Sequence, residues 1–174
     1  MRYAIVYLLK GKARGYHIGL VSEISKKFQL RNLNDCVMPH VTLKSPFEGE
    51  DIKIVENLIE DYSRRMKKVG IELKGFSDFD KKVLFFDFVS SSDAFEIQKG
   101  LINILDFAGL DMGEFDRKWK PHSTLAYFDN DYKFEEVKRY LSGGNPNYKM
   151  FFDNISIIKK LKDKWVIHKE FELK

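Results

Sequence analysis

The chain has 174 residues, 44% of them apolar and 32% charged, a balance that supports one domain over residues 1–174 and excludes a disordered or fibrous polymer. The formal net charge is only +4, and no dense basic block is present. An anionic small ligand or an RNA end is therefore admitted, and no DNA partner is expected. Cys36 stands alone, which excludes an internal disulfide and a cysteine-built zinc site.

In chain order, Tyr3 to Leu9 is a continuous apolar run of strand length. It is too short for a signal h-region or a membrane span, so the cytoplasm is the expected compartment and no membrane partner is expected. Lys10 to Gly15 reads as a basic connection, followed by a helix over Tyr16–Phe28 with Ile18, Val21, Ile24 and Phe28 inward. Leu30 to Met38 reads as irregular. A strand starts at His40 and is stopped by Pro46. Ile52, Val55, Leu58, Ile59, Tyr62 and Met66 mark an amphipathic helix ending near Gly70. Ile71 opens a strand, Asp80-Lys81-Lys82 a turn, and Val83–Val89 the returning strand.

Asp93 and Glu96 resemble a capping box before a helix that continues from Phe95 to Phe107. A Gly- and Asp-rich loop over Ala108–Asp116 and a basic cluster over Arg117–Lys120 lead to a strand at His122. Phe134, Val137 and Leu141 mark a short helix stopped by Gly143-Gly144. Met150–Lys160 reads as one strand, Lys162-Asp163 as a turn, and Trp165–Leu173 as the last strand. Each half thus reads strand, helix, strand, helix, strand, turn, strand. The expected fold class is α+β, with two pseudo-symmetric lobes, each an antiparallel sheet flanked by helices, around a central cleft.

What unites the halves is a repeated pentapeptide. Pro39-His40-Val41-Thr42-Leu43 returns as Pro121-His122-Ser123-Thr124-Leu125, displaced by 122 − 40 = 82 residues. Strand alternation puts His40 and Thr42 on one face, about 7 Å apart, and does the same for His122 and Thr124. Two such units facing each other would hold one phosphate. By the same alternation Lys44 continues the first face and would add a positive charge. His17 and His168 have no partner motif and read as structural.

Two His-x-Thr motifs in a duplicated chain of this length resemble the two-histidine (2H) phosphoesterase superfamily, and within it the LigT-like RNA 2′,3′-cyclic phosphodiesterases, also called 2′-5′ RNA ligases. "PHVTLK" is close to that family's first motif and "PHSTLA" to its second. The resemblance covers nearly the whole chain. It implies two antiparallel sheets with the four motif residues lining the cleft, and 3′-oxygen departure to leave a 2′-phosphate. Two positions depart from it. Ser123 stands where the family prefers an apolar residue, and Tyr127 where many members carry Arg.

The chemistry follows from what opening a cyclic phosphate requires. One imidazole takes the proton of the attacking water and the other protonates the leaving oxygen, while Thr42 and Thr124 donate to the non-bridging oxygens. His40 and His122 are thus the expected catalytic residues, with Thr42, Thr124, Lys44, Tyr127 and Trp119 on the substrate; Trp119, Tyr127 and Phe47 are candidates for base stacking. Carboxylates near the motifs make no ligand spacing with these histidines, so neither a metal nor another cofactor is expected. The expected partners are RNA ends or nucleotides bearing a cyclic phosphate, met by a monomer. Cleavage or reversible ligation of 2′-5′ linkages, hydrolysis of ADP-ribose cyclic phosphate, and non-catalytic binding of nucleotides or RNA are the competing readings.

Overall fold

The computed structural model describes all residues 1–174. The chain order is β1 (Arg2–Leu8), α1 (Gly11–Phe28), a 3-10 turn (Leu33–Asp35), β2 (His40–Glu48), α2 (Lys53–Ser63), β3 (Val69–Phe79) and β4 (Val83–Ser90). Then follow α3 (Ser92–Phe107), α4 (Glu114–Arg117), β5 (His122–Tyr127), α5 (Asp131–Leu141), β6 (Asn147–Phe152), β7 (Asn154–Leu161) and β8 (Lys164–Glu172). The strands form two antiparallel four-stranded sheets, ordered β2-β1-β7-β8 and β5-β4-β3-β6. The two motif strands, β2 and β5, are edge strands of different sheets and pack against each other. The main apolar core runs through both sheets, from Ile5, Leu43 and Ile157 of the first to Leu73, Phe86 and Leu125 of the second, and a small second cluster holds Ala4, Val6, Leu8 and Ile158.

The halves are duplicated but interleaved. Met150–Lys160, which reads as one apolar strand, is in fact two strands in different sheets, broken at Asp153. Asn154 fastens the crossing. Its Oδ1 accepts from Leu8 N at 3.0 Å and its Nδ2 donates to Leu8 O at 3.1 Å, so its fully buried amide completes the backbone pairing at the end of β1.

Other boundaries move for local reasons. α1 begins at Gly11, five residues before the expected start, and its buried stripe is Ala13, His17, Leu20, Val21 and Ile24. That stripe places His17, rather than Ile18, toward the core. Pro46 does not stop β2. The strand continues to Glu48 because Pro46 sits in a register shift of an edge strand, where its missing N–H costs no ladder bond. The cap of α3 is Ser91, whose Oγ accepts from Ala94 N at 3.3 Å, in place of the expected Asp93 and Glu96 box. No helix is long and apolar enough to cross a membrane.

Candidate active site

Each motif strand carries a β-bulge at the same place. Val6 pairs with Thr42 and Ile5 with Lys44, so Leu43 has no partner; Phe85 pairs with Thr124 and Leu84 with Ala126, so Leu125 has none. The extra residue reverses the alternation beyond it. Both strands consequently show the same burial, with His and Thr half-exposed and the next two side chains buried. The repeat in sequence is thus a repeat in backbone geometry.

This bulge overturns the expected placement of Lys44. The residue does not share the His40 and Thr42 face, because alternation is broken at Leu43. Lys44 is buried, 3% exposed, and its Nζ lies 3.0 Å from Asp116 Oδ2 and 3.2 Å from Ser45 O. Its charge is committed to Asp116 and is not presented to a phosphate. Ser45 takes its place at the cleft.

The two histidines are held alike. His40 Nδ1 lies 2.8 Å from Met38 O, and His122 Nδ1 lies 2.7 Å from Lys120 O. A carbonyl only accepts, so each Nδ1 carries the proton and donates it, leaving Nε2 as the free, basic nitrogen of the neutral ring. Burial pushes the His40 pKa below the ordinary imidazole range; the Met38 carbonyl opposes this and the neighbouring His122 adds to it. His122 is lowered as well, first by burial and then by the Lys120 ammonium, against the pull of the Lys120 carbonyl and of Asp87. The ring of His122 rests in T-shaped contact with Phe79 and tilted against Phe85, with centroids 5.0 Å away in each case.

A cleft of about 660 Å³ opens at this point, lined by Thr42 and Ser45 from β2, Phe79 from β3, Phe115 from α4, and Trp119 and His122 from the second motif region. Lys120 also reaches it, with Nζ 5.0 Å from the Phe79 ring centre and 5.1 Å from that of Phe85. The indole Nε1 of Trp119 donates to Thr42 O at 2.8 Å, and its ring stands edge-on to Phe95. Thr124 stands half-exposed on β5, while its carbonyl accepts from His17 Nε2 at 3.0 Å. Tyr127 is 61% exposed at the end of β5 and does not line the cleft. The four motif residues thus lie on the two packed motif strands, but of them only Thr42 and His122 line this cleft, with Trp119 beside them; His40, Thr124, Lys44 and Tyr127 stand outside its lining.

Sequence reasoning passed over three groups. Asp116 was part of a polar loop, yet it is 2% exposed and bonded to β2. Phe79 was simply the end of a strand. His17 read as structural, and it is buried as that reading has it; what was not foreseen is its bond to the backbone of the second motif. The only sequence signal for any of them was the stripe of α1, in which His17 falls four residues after buried Ala13 and four before buried Val21.

Two imidazole and two hydroxyl side chains thus stand at matching places on the two bulged motif strands. The chain belongs to the 2′-5′ RNA ligase superfamily, whose sequence pattern matches residues 21–164, and so to a superfamily of phosphoesterases and ligases. A Staphylococcus haemolyticus protein named "putative phosphoesterase" is 27% identical over 173 residues, covering 90% of this chain and 99% of its own; a Staphylococcus epidermidis protein of the same name is 24% identical over 143 residues, covering 79% and 82%. Among solved structures, TT0787 of Thermus thermophilus superposes with a TM-score of 0.69 at 15% identity, covering 99% of this chain and 98% of that one. Escherichia coli LigT complexed with 3′-AMP superposes with a TM-score of 0.67 at 12% identity, covering 99% and 97%. These two likenesses are of fold.

Proposed function

We propose that this chain hydrolyses 2′,3′-cyclic phosphate ends of RNA or nucleotides to 2′-phosphates, using His40 and His122 as acid and base. The observation that carries this reading is the duplicated clamp, Nδ1–H to the carbonyl two residues earlier, which frees Nε2 in both motifs. In the reaction one Nε2 removes a proton from water as its oxygen attacks phosphorus. The P–O3′ bond breaks, and the protonated Nε2 of the other ring gives its proton to the departing 3′-oxygen. The products are a 2′-phosphomonoester and a free 3′-hydroxyl, and the two rings have exchanged roles. Each proton transfer supplies roughly 10²–10⁴ in rate.

Thr42 and Thr124 hold the non-bridging oxygens, whose charge must be accommodated in the transition state. Phe79, Phe115 and Trp119 give the cleft flat apolar surface for a base. LigT's complex with 3′-AMP supports a nucleotide as the occupant. The scheme uses no metal.

The test is product analysis on 2′,3′-cyclic nucleotides and cyclic-phosphate-ended RNA in EDTA, for wild type, His40→Ala and His122→Ala. Formation of 2′-phosphate that is lost in both variants is expected. Activity surviving in both would sink the assignment. The family pattern favours one second reading, cleavage and joining of 2′-5′ linkages in the same cleft; turnover of 2′-5′ oligonucleotides with none of cyclic phosphates would select it. Binding of nucleotide with turnover of neither would mark a binding module.

A further inference from the structure

The outer edge of β2, which no strand covers, is bonded to the other lobe at four consecutive residues. Thr42 O accepts from Trp119 Nε1 at 2.8 Å, and Leu43 O accepts from Gln98 Nε2 at 3.0 Å. Lys44 Nζ pairs with Asp116 Oδ2 at 3.0 Å, and Ser45 N donates to Asp116 Oδ1 at 2.7 Å. The same Gln98 amide gives its second hydrogen to Asp116 O at 2.9 Å, and Gly113 N donates to Asp116 Oδ2 at 2.9 Å.

Asp116 is the hub of this stitching, with both carboxylate oxygens taken. Burial alone would raise its pKa, but the bonds from Ser45, Lys44 and Gly113 hold it below the ordinary carboxylate range. A buried ion pair is a poor source of net stability, since apolar residues of equal volume serve as well. What it offers is geometry. Lys44 is fixed beside the bulge of the first motif, and Asp116 stands shortly before His122 in the chain, on the segment that presents Phe115 and Trp119 to the cleft.

We infer that Asp116 is a positioning residue: by binding Lys44 and Ser45 it fixes segment 113–120 on the bulged edge of β2, and so sets the span across the cleft between the first motif and His122. The substrate arm of its test rests on the proposed hydrolysis; the second arm does not.

The variants are Asp116→Asn and the double variant Lys44→Met/Asp116→Asn. The first keeps an acceptor for Ser45 N–H but leaves the Lys44 charge unpaired. The second removes both charges, and carries the test if the first fails to fold. In the substrate arm, kcat on a 2′,3′-cyclic nucleotide is expected to fall at least tenfold, with a smaller change in KM. An Asp116 that serves stability alone would lower Tm and leave kcat per folded molecule unchanged.

In the second arm, inorganic phosphate is titrated while the imidazole signals of His40 and His122 are followed by NMR. Wild type is expected to show both rings responding with one Kd, and the folded variants to lose that common response. A folded variant with wild-type kcat and one shared Kd overturns the inference. If wild type turns over nothing yet phosphate moves both rings, the hydrolase reading falls and the phosphate arm alone decides the role of Asp116. If phosphate moves neither ring in wild type, the inference falls too.

Discussion

His17 makes acid stability a quantitative test of the packing behind the site. It is 4% exposed, its Nε2 lies 3.0 Å from Thr124 O, its Nδ1 has no partner, and the Phe86 ring stands edge-on at 5.6 Å. Burial first, then the nearby His40, push its pKa down to about 4 against the pull of the Thr124 carbonyl. In the unfolded chain the same imidazole titrates near 6.5. Between these values the unfolded state binds more protons, so stability rises with pH through the window, is fully present above about pH 6.5, and is lost as pH falls to about 4. The difference of about 2.5 pKa units corresponds to about 3 kcal/mol.

His17→Phe removes that proton site and one hydrogen bond worth about 1 kcal/mol. The variant should therefore be about 1 kcal/mol less stable than wild type at pH 7 and about 2 kcal/mol more stable at pH 4, with the curves crossing between about pH 5 and 6. His122 is present in both proteins and its contribution cancels; that of His40 cancels except for its repulsion of the His17 charge, which the difference includes. Urea unfolding followed by tryptophan fluorescence at four pH values measures the difference directly. A difference that stays constant from pH 7 to 4 would refute a buried, neutral His17.

Four further outcomes follow from the same geometry. Ser123 is 1% exposed and its Oγ has no partner, so Ser123→Ala should raise stability by roughly 1 kcal/mol in thermal melts. Ala at position 100 would usually favour helix α3 by about 1 kcal/mol. Here its Cβ would fall on the Tyr62 hydroxyl, which donates to Ile97 O at 2.8 Å, so Gly100→Ala should instead lower stability by about 1–2 kcal/mol. The imidazoles of His40 and His122 both titrate below the ordinary range, and the proposed reaction needs one of them protonated; kcat/KM should therefore peak below about pH 6.5, and a maximum above pH 7.5 would contradict the proposed acid–base pair. Thr42→Ala and Thr124→Ala should each lower kcat about tenfold to a hundredfold, as loss of a hydrogen bond to a charged oxygen would, measured on the same cyclic nucleotide.

What could be read from the sequence was whatever repeats or alternates without interruption. The two Pro-His-x-Thr-Leu segments named the motif strands, the spacing of Val55, Ile59 and Tyr62 named α2, and Asp80-Lys81 named a hairpin whose two residues do take positive φ. Interruptions were hidden. A bulge has no composition of its own here, because Leu43 and Leu125 are ordinary apolar residues, and so the reversal that buries Lys44 could not be read. The run from Met150 to Lys160 conceals a change of sheet because both sheets ask for alternating apolar residues. Asp116 was illegible for a different reason. A buried carboxylate is recognised by the three groups that bind it, and those come from residues 44, 45 and 113.

The interleaving of the sheets also dictates an order of assembly during synthesis. Every strand of the β5-β4-β3-β6 sheet lies within residues 69–152, whereas β1 must be covered by β7, with Tyr3 opposite Lys159. As the chain emerges N-terminus first, the lobe bearing the second motif can close while β1, buried at every position from Tyr3 to Leu8 in the finished fold, still presents a bare apolar edge. Closing that long loop is entropically costly and slow. β1 is thus paired with β2 on one side but stays open on the other until residues 154–161 of β7 have been made.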